Sequence, residues 1–171
     1  MAAVDFFRRG RKEVIIAHFD HGTEHGEDAQ NLVLEWAESE GVPVVRERIT
    51  GRKPHGRSWE DWWRQQRYSF LHNLPGPVVT GHNLDDAVEW WIMSSLHGTG
   101  RLVPKVKQNV IRPFLTTPKS VLVGWCDRKS VPYLNDPANH SDRFTRSIVR
   151  HKLIPEALKV NPGLFKTVRK K

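Results

Sequence analysis

Cysteine is almost absent from this chain: Cys126 stands alone among 171 residues. One thiol cannot close an internal disulfide or build a thiolate metal cluster, which excludes disulfide scaffolds and cysteine-held zinc or iron–sulfur sites. Long apolar runs are missing too, and none approaches the roughly 18–20 residues needed to cross a bilayer. The opening MAAVDFFRRGRK lacks the apolar segment and cleavage site of a signal peptide, so a cytoplasmic protein with no membrane partner is expected. Glycine-rich phosphate loops do not occur: there is no Walker pattern, no GxGxxG, and His97-Gly-Thr-Gly100 follows a helical pattern, not a strand. No Gly-x-Ser-x-Gly and no Cys/His pairing argues for nucleophilic catalysis.

What is present describes a globular chain. Seven Trp, seven Phe and regular aliphatic blocks within 38% apolar residues exclude collagen-like, low-complexity and disordered classes. The length suits one domain of ordinary size. The formal charge of +8 is unevenly placed. Residues 1–100 carry 11 Lys+Arg against 15 Asp+Glu, a net of −4, whereas residues 101–171 carry 16 against 4, a net of +12. Such asymmetry points to a polyanion on the C-terminal side, although a solvated basic face with a charged tail has the same composition.

Strand and helix patterns alternate through the first two-thirds of the chain. Glu13–His18 is a β-branched run read as a buried strand, ending in the polar loop His18-Phe-Asp-His-Gly22. Apolar residues recurring at three and four predict a helix over 26–40, with Gly41 as its stop. Val42–Val45 begins the next strand. An exposed loop, Thr50–Arg57, precedes a helix starting at Ser58, with Glu60 and Asp61 near the positive end of its dipole. Pro77–Thr80 reads as a strand, Gly81–Asp86 as the entry to a helix reaching Leu96, Asn109–Pro113 as a strand and Pro118–Lys129 as a helix. Strands separated by helices describe an α/β fold, a doubly wound parallel sheet with ligands at the carboxyl ends of its strands. The expected division is an α/β core over residues 1–130 and a basic helical extension over 131–171.

The segment Gly81-His-Asn-Leu-Asp-Asp-Ala-Val-Glu89 is the most informative. Asp86 and Glu89, three apart at a helix start, face the same way and suit Mg²⁺ bound to phosphates. The same acids could merely complement the helix dipole, with Asp85 as the cap. His18, Asp20 and His21 form a polar cluster at a strand's end that reads better as the wall of a nucleotide pocket than as a zinc site. Arg64 and Arg67, beside Tyr68, could clamp a polyphosphate or form a surface pair. Arg143, Arg146 and Arg150 make a basic helical stripe beside an apolar one of Phe144 and Ile148, suited to RNA or to water.

In chain order these pieces are AHFDHG (17–22), Asp28, Glu60-x-x-x-Arg64-x-x-Arg67-Tyr68, TGHNLDDAVE (80–89), LHGTG (96–100) and VIRPFL (110–115) with Lys119. VPYLNDPAN (131–139) and FTRSIVRHKLIP (144–155) with Asn161-Pro162 complete them. Together they resemble the tRNA(Ile)-lysidine synthetase family of N-type ATP pyrophosphatases, over nearly the whole chain. The resemblance implies a Rossmann-like, adenine nucleotide alpha hydrolase-like fold. It also implies ATP-dependent attachment of free lysine to C2 of cytidine 34 of tRNA(Ile), through an adenylated intermediate. By the same resemblance Asp86 and Glu89 handle Mg²⁺ and the pyrophosphate or lysine amine, and Arg64 and Arg67 face the reacting centre. His18, Asp20, His21, Gly81 and His82 border the nucleotide, and Arg112, Lys119, Arg143, Arg146 and Arg150 face RNA. ATP and Mg²⁺ are the implied cofactors; tRNA(Ile) and lysine are the implied partners, with a homodimer as one admissible assembly.

One departure matters. The family's pyrophosphate loop, Ser-Gly-Gly-x-Asp-Ser, does not occur in these 171 residues, and Met1–Arg9 resembles the helix that follows it. Without that loop's backbone N–H groups a pyrophosphate has no obvious cradle, so weak activity with ATP is expected of this chain. The readings this leaves are a chain lacking its first strand and loop, a non-catalytic RNA-binding remnant, or another tRNA-modifying relative.

Overall fold

The computed structural model describes residues 1–134 and 145–170. Helices and strands alternate as α1 (Ala2–Arg9), β1 (Ile16–Asp20), α2 (Glu24–Ser39), β2 (Val44–Arg48), α3 (Trp59–Asn73), β3 (Val78–Val79) and α4 (Leu84–Leu96). A short hairpin, β4 (Val106–Lys107) and β5 (Val110–Ile111), precedes α5 (Lys119–Lys129). The C-terminal part holds α6 (Thr145–Ile148), a π-helical turn (Val149–Leu153), α7 (Ile154–Val160) and α8 (Leu164–Lys170). Among the described residues no helix is long and apolar enough to cross a membrane.

The strands form a two-stranded sheet, β1-β2, and a three-stranded sheet in the order β3-β5-β4. β1 and β2 are parallel, in a register running from Ile16 opposite Val44 to Asp20 opposite Arg48, and α2 is their crossover. β3 meets β5 through the Val78 N–H donating to the Asn109 carbonyl (2.8 Å) and the Thr80 N–H donating to the Ile111 carbonyl (3.0 Å). β4 joins β5 through a two-residue turn in which Gln108 takes a φ of 52°. A connection that short permits only antiparallel pairing, so the expectation of parallel strands throughout does not extend to β4.

The chain divides into two compact units: Met1–Val78 with Gln108–Val110 and Cys126–Leu134, and Val79–Lys107 with Ile111–Trp125 and Asn135–Lys171. In the first, Ile16, Trp36, Ala37, Val42, Cys126 and Val131 form one apolar cluster, and Phe70, Leu71, Val78 and Val110 form another. Period-two alternation explains both: Ile16 reaches the first cluster, while Ala17 and Phe19, on the opposite face of β1, pack against the second. In the second unit α4 supplies Leu84, Ala87 and Val88 to a core closed by Leu115, Val149, Ile154, Leu164 and Val168.

Helix ends follow local chemistry. The Ser58 hydroxyl accepts the Asp61 N–H at 3.1 Å and starts α3, as its sequence requires. Gly41 closes α2 with a φ of 63°, a conformation that glycine adopts without a Cβ clash. At α4 the cap is Asn83, not the expected Asp85. Its side-chain oxygen accepts the N–H groups of Asp85 (3.0 Å) and Asp86 (3.3 Å), while Asp86 reaches back to the Asn83 N–H (2.9 Å). Asp85 is engaged elsewhere: its carboxylate accepts the Lys119 N–H at 2.7 Å. Asn83→Ala is expected to lower stability by about 1–2 kcal/mol, measured by chemical denaturation, because two N–H groups lose their acceptor and Asp86 loses its anchor. An unchanged midpoint would refute that role for the cap.

Two other boundaries shift. β1 runs on to Asp20, so His18 and Asp20 belong to the ladder, opposite Arg46 and Arg48, and not to the loop expected there. Ile15, expected inside a buried strand, precedes β1 and is 65% exposed.

Candidate functional site

The second unit builds its most charged feature at the start of α4. A spacing of three puts Asp86 and Glu89 on one helical face, and the capping box fixes Asp86 in place. Glu89 is fully buried. Two guanidiniums converge on these acids from α6 and the π-helical turn. Arg146 donates from Nε to Glu89 Oε2 (2.9 Å) and from Nη2 to Asp86 Oδ1 (2.9 Å), and Arg150 donates from Nε to Glu89 Oε1 (2.5 Å). Burial opposes the Arg150 charge, yet the hydrogen bond and charge of Glu89, with Asp86 and Asp85 behind it, hold its pKa above the ordinary value.

The result is a compact quartet of two carboxylates and two guanidiniums. Every oxygen of both acids accepts an N–H: Arg146 and the Asn83 backbone serve Asp86, and both arginines serve Glu89. Each oxygen keeps a second lone pair, but a hydrated Mg²⁺ or any other cation would have to compete with both guanidiniums for it. Among the described residues no group of three or more His, Cys, Asp or Glu could hold a metal ion.

The stripe reading of residues 144–150 changes accordingly. Arg146 and Arg150, expected to face RNA, turn onto the acids, and Ile148, expected on an apolar face, is exposed beside the buried Ser147 and Val149. A π-helical turn starts at Val149 and offsets the faces that a regular helix would keep aligned. Arg143 lies outside the described residues. Arg112, another expected RNA contact, is 3% exposed, and its Nη1 donates to the Pro104 carbonyl at 3.0 Å. Lys119 is exposed. His82 Nδ1 lies 2.8 Å from the Thr80 hydroxyl, and among the described residues no atom crowds the position a Cβ on Gly81 would take.

In the first unit the expected nucleotide residues surround a buried carboxylate. Asp20 accepts the Gly22 N–H at 2.7 Å and meets Arg48 Nε at 3.3 Å. A Cβ on Gly26 would stand 2.6 Å from Asp20 Oδ1, so the start of α2 can approach this carboxylate only as glycine. Neither Gly26 nor Arg48 was expected from the sequence. Only the run of polar residues at the end of β2 hinted at Arg48.

His21 packs edge-on to Phe19 and against Trp63, with centroids 5.2 and 5.9 Å away. Burial first, and then the nearby Arg67 charge, lower its pKa to about 4; Asp20 opposes and His18 adds to the shift. The His18 pKa is also lowered, chiefly by burial. His18 Nε2 and His21 Nδ1 are buried and have no hydrogen-bond partner among the described residues. Arg64 and Arg67 flank the Tyr68 ring, at 5.0 and 5.9 Å from its centroid.

The His21 shift has a consequence for stability. Between pH 6.5 and about 4 the unfolded chain takes a proton at this position that the folded chain refuses, so folding stability falls as the pH drops through that window. Denaturation midpoints are expected to decline from pH 7 to pH 4.5, and His21→Gln is expected to flatten part of that decline. A variant with the same slope as the parent would contradict the assignment.

A family model described as a PP-loop domain matches residues 2–157. The tRNA(Ile)-lysidine synthase of Thermotoga maritima is 25% identical over 167 residues, covering 88% of this chain and 39% of that protein. That of Chlamydia pneumoniae is 30% identical over 153 residues, covering 81% of this chain and 48% of that protein. The chain thus spans under half the length of these curated relatives. Among solved structures, the U34-tRNA thiolase NcsA from Methanococcus maripaludis, with its [4Fe-4S] cluster, superposes with a TM-score of 0.78 at 14% identity, covering 99% of this chain and 66% of that one. At that identity the likeness speaks for the fold alone.

Proposed function

The chain belongs to the PP-loop domain family, and from that premise we propose that it is a tRNA-modifying ligase that uses ATP to attach lysine to C2 of cytidine 34 of tRNA(Ile). The observation that carries the reading is the Asp86–Glu89 pair. These two acids already receive cationic N–H groups from two directions, and the amine of lysine is a cation of the same kind. Curated relatives named as lysidine synthases support the choice of amine.

ATP, when bound, supplies the adenylyl group that activates the base's carbonyl oxygen toward an amine. On the first unit, His18 and His21 fit a nucleotide on one count: each has a buried ring nitrogen without a partner among the described residues. On the second unit, taken by itself, His82 is the candidate beside a nucleotide. Arg64 and Arg67 are the candidates for polyphosphate. Mg²⁺ would draw on Asp86 and Glu89 in competition with Arg146 and Arg150.

Thiolation of tRNA, the activity named for the structural relative, suits this chain poorly. That relative carries an iron–sulfur cluster, whereas a lone buried Cys126 cannot supply the thiolates such a cluster needs. The reading is tested by pyrophosphate release from ATP with tRNA(Ile) present or omitted. Release that rises with tRNA supports it, and release indifferent to tRNA counts against it.

A further inference from the structure

The loop before α3 and the first turns of that helix carry aromatic and basic side chains that the proposed reaction does not use. Trp59 is 50% exposed, a large apolar surface to leave in water. Its ring is buttressed from within: Trp63 lies 5.6 Å away, His21 lies 5.9 Å beyond Trp63, Phe19 follows at 5.2 Å and Phe70 at 5.7 Å. Such a ladder holds the outermost indole with little freedom left to lose. Over that ring, Lys53 Nζ stands 5.5 Å from the Trp59 centroid, held there by donating to the carbonyls of Arg57 (2.6 Å) and Pro54 (3.3 Å), and leaves the rest of the indole open. Arg57 donates in turn to Gln65, and Arg52 is exposed on the same loop. Glu60 and Asp61 are the acids nearby, placed at the start of α3 where the helix dipole favours them.

We propose that this surface docks single-stranded RNA, an unpaired base stacking on the open part of Trp59 while adjacent phosphates meet Arg52, Lys53 and Arg57. A buttressed aromatic with cations beside it matches a base joined to a phosphate: every base presents a π-face, and the backbone supplies the negative charge. A membrane surface would ask for several exposed apolar side chains, whereas Trp59 is the large apolar side chain that this loop and helix start expose. The proposal rests on the tRNA reading only in taking RNA as the ligand; it needs neither ATP nor lysine.

The test uses fluorescence anisotropy of the full chain with two labelled ligands: an oligoribonucleotide of about eight nucleotides and a ribose-phosphate oligomer of the same length without bases. Trp59→Ala is expected to weaken the oligoribonucleotide about tenfold and leave the base-free oligomer unchanged, with Trp59→Phe retaining most of the affinity. The double variant Lys53→Ala, Arg57→Ala is expected to weaken both ligands and to reduce the salt dependence. Equal affinity of Trp59→Ala and the parent for the oligoribonucleotide would overturn the proposal. So would equal losses on both ligands, or a Trp59 effect seen only with phosphatidylserine vesicles. Base-dependent binding through Trp59 in a chain that attaches no lysine counts against the ligase reading alone. Binding indifferent to Trp59 in an active ligase counts against this proposal alone.

Discussion

A chain carrying both Arg146→Met and Arg150→Met is expected to lose about 3–5 kcal/mol of folding stability near neutral pH. The two guanidiniums keep 35% and 29% of their side-chain surface in solvent, whereas the Glu89 side chain keeps 1%. Removing the arginines therefore strands a carboxylate that water cannot reach, and methionine fills their volume without supplying a donor. A third substitution, Glu89→Met, made on the double variant is expected to restore most of the stability, because the buried charge is then gone as well. Urea midpoints of the parent, double and triple variants measure this directly. A triple variant no more stable than the double would show that the arginines act by packing alone.

The second large effect concerns activity. Glu89→Gln keeps the shape of the side chain and one acceptor oxygen, but removes the charge. Two guanidiniums then face Asp86 alone, the acid of the pair that keeps 18% of its side chain in solvent, and a lysine amine reaching Asp86 would enter a site with excess positive charge. Lysine attachment is expected to fall about tenfold to a hundredfold, the worth of a charge-assisted hydrogen bond. The loss should appear mainly in KM for lysine, with tRNA binding unchanged. A fall in tRNA affinity with KM for lysine untouched would move Glu89 from amine binding to a structural role.

How much of this could be read in advance depended on the range of the interaction. Ser58 as a helix start and Gly41 as a stop follow from residues a few positions away, and both stand as expected. The Asn83 cap was misassigned to Asp85 because the two side chains cap equally well in isolation. The Lys119 N–H, 34 residues further along, decides between them by engaging Asp85. The extension of β1 through His18 and Asp20 depends on partners in β2, which no local pattern displays. Arg146 meets Glu89 across 57 positions, so the periodicity that placed it on a basic stripe had no means of showing that it turns inward. The pairing of Asp86 with Glu89 on one face was legible, because three residues of helix settle it. What those acids hold was not.

The central claim is a chemical one, and one measurement addresses it directly. Labelled lysine, ATP, Mg²⁺ and tRNA(Ile) are incubated with the protein, each nucleotide component is omitted in turn, and lysine covalently attached to the RNA is counted. The account predicts attachment that requires both ATP and tRNA(Ile). A protein that binds the tRNA yet attaches no lysine would contradict the account.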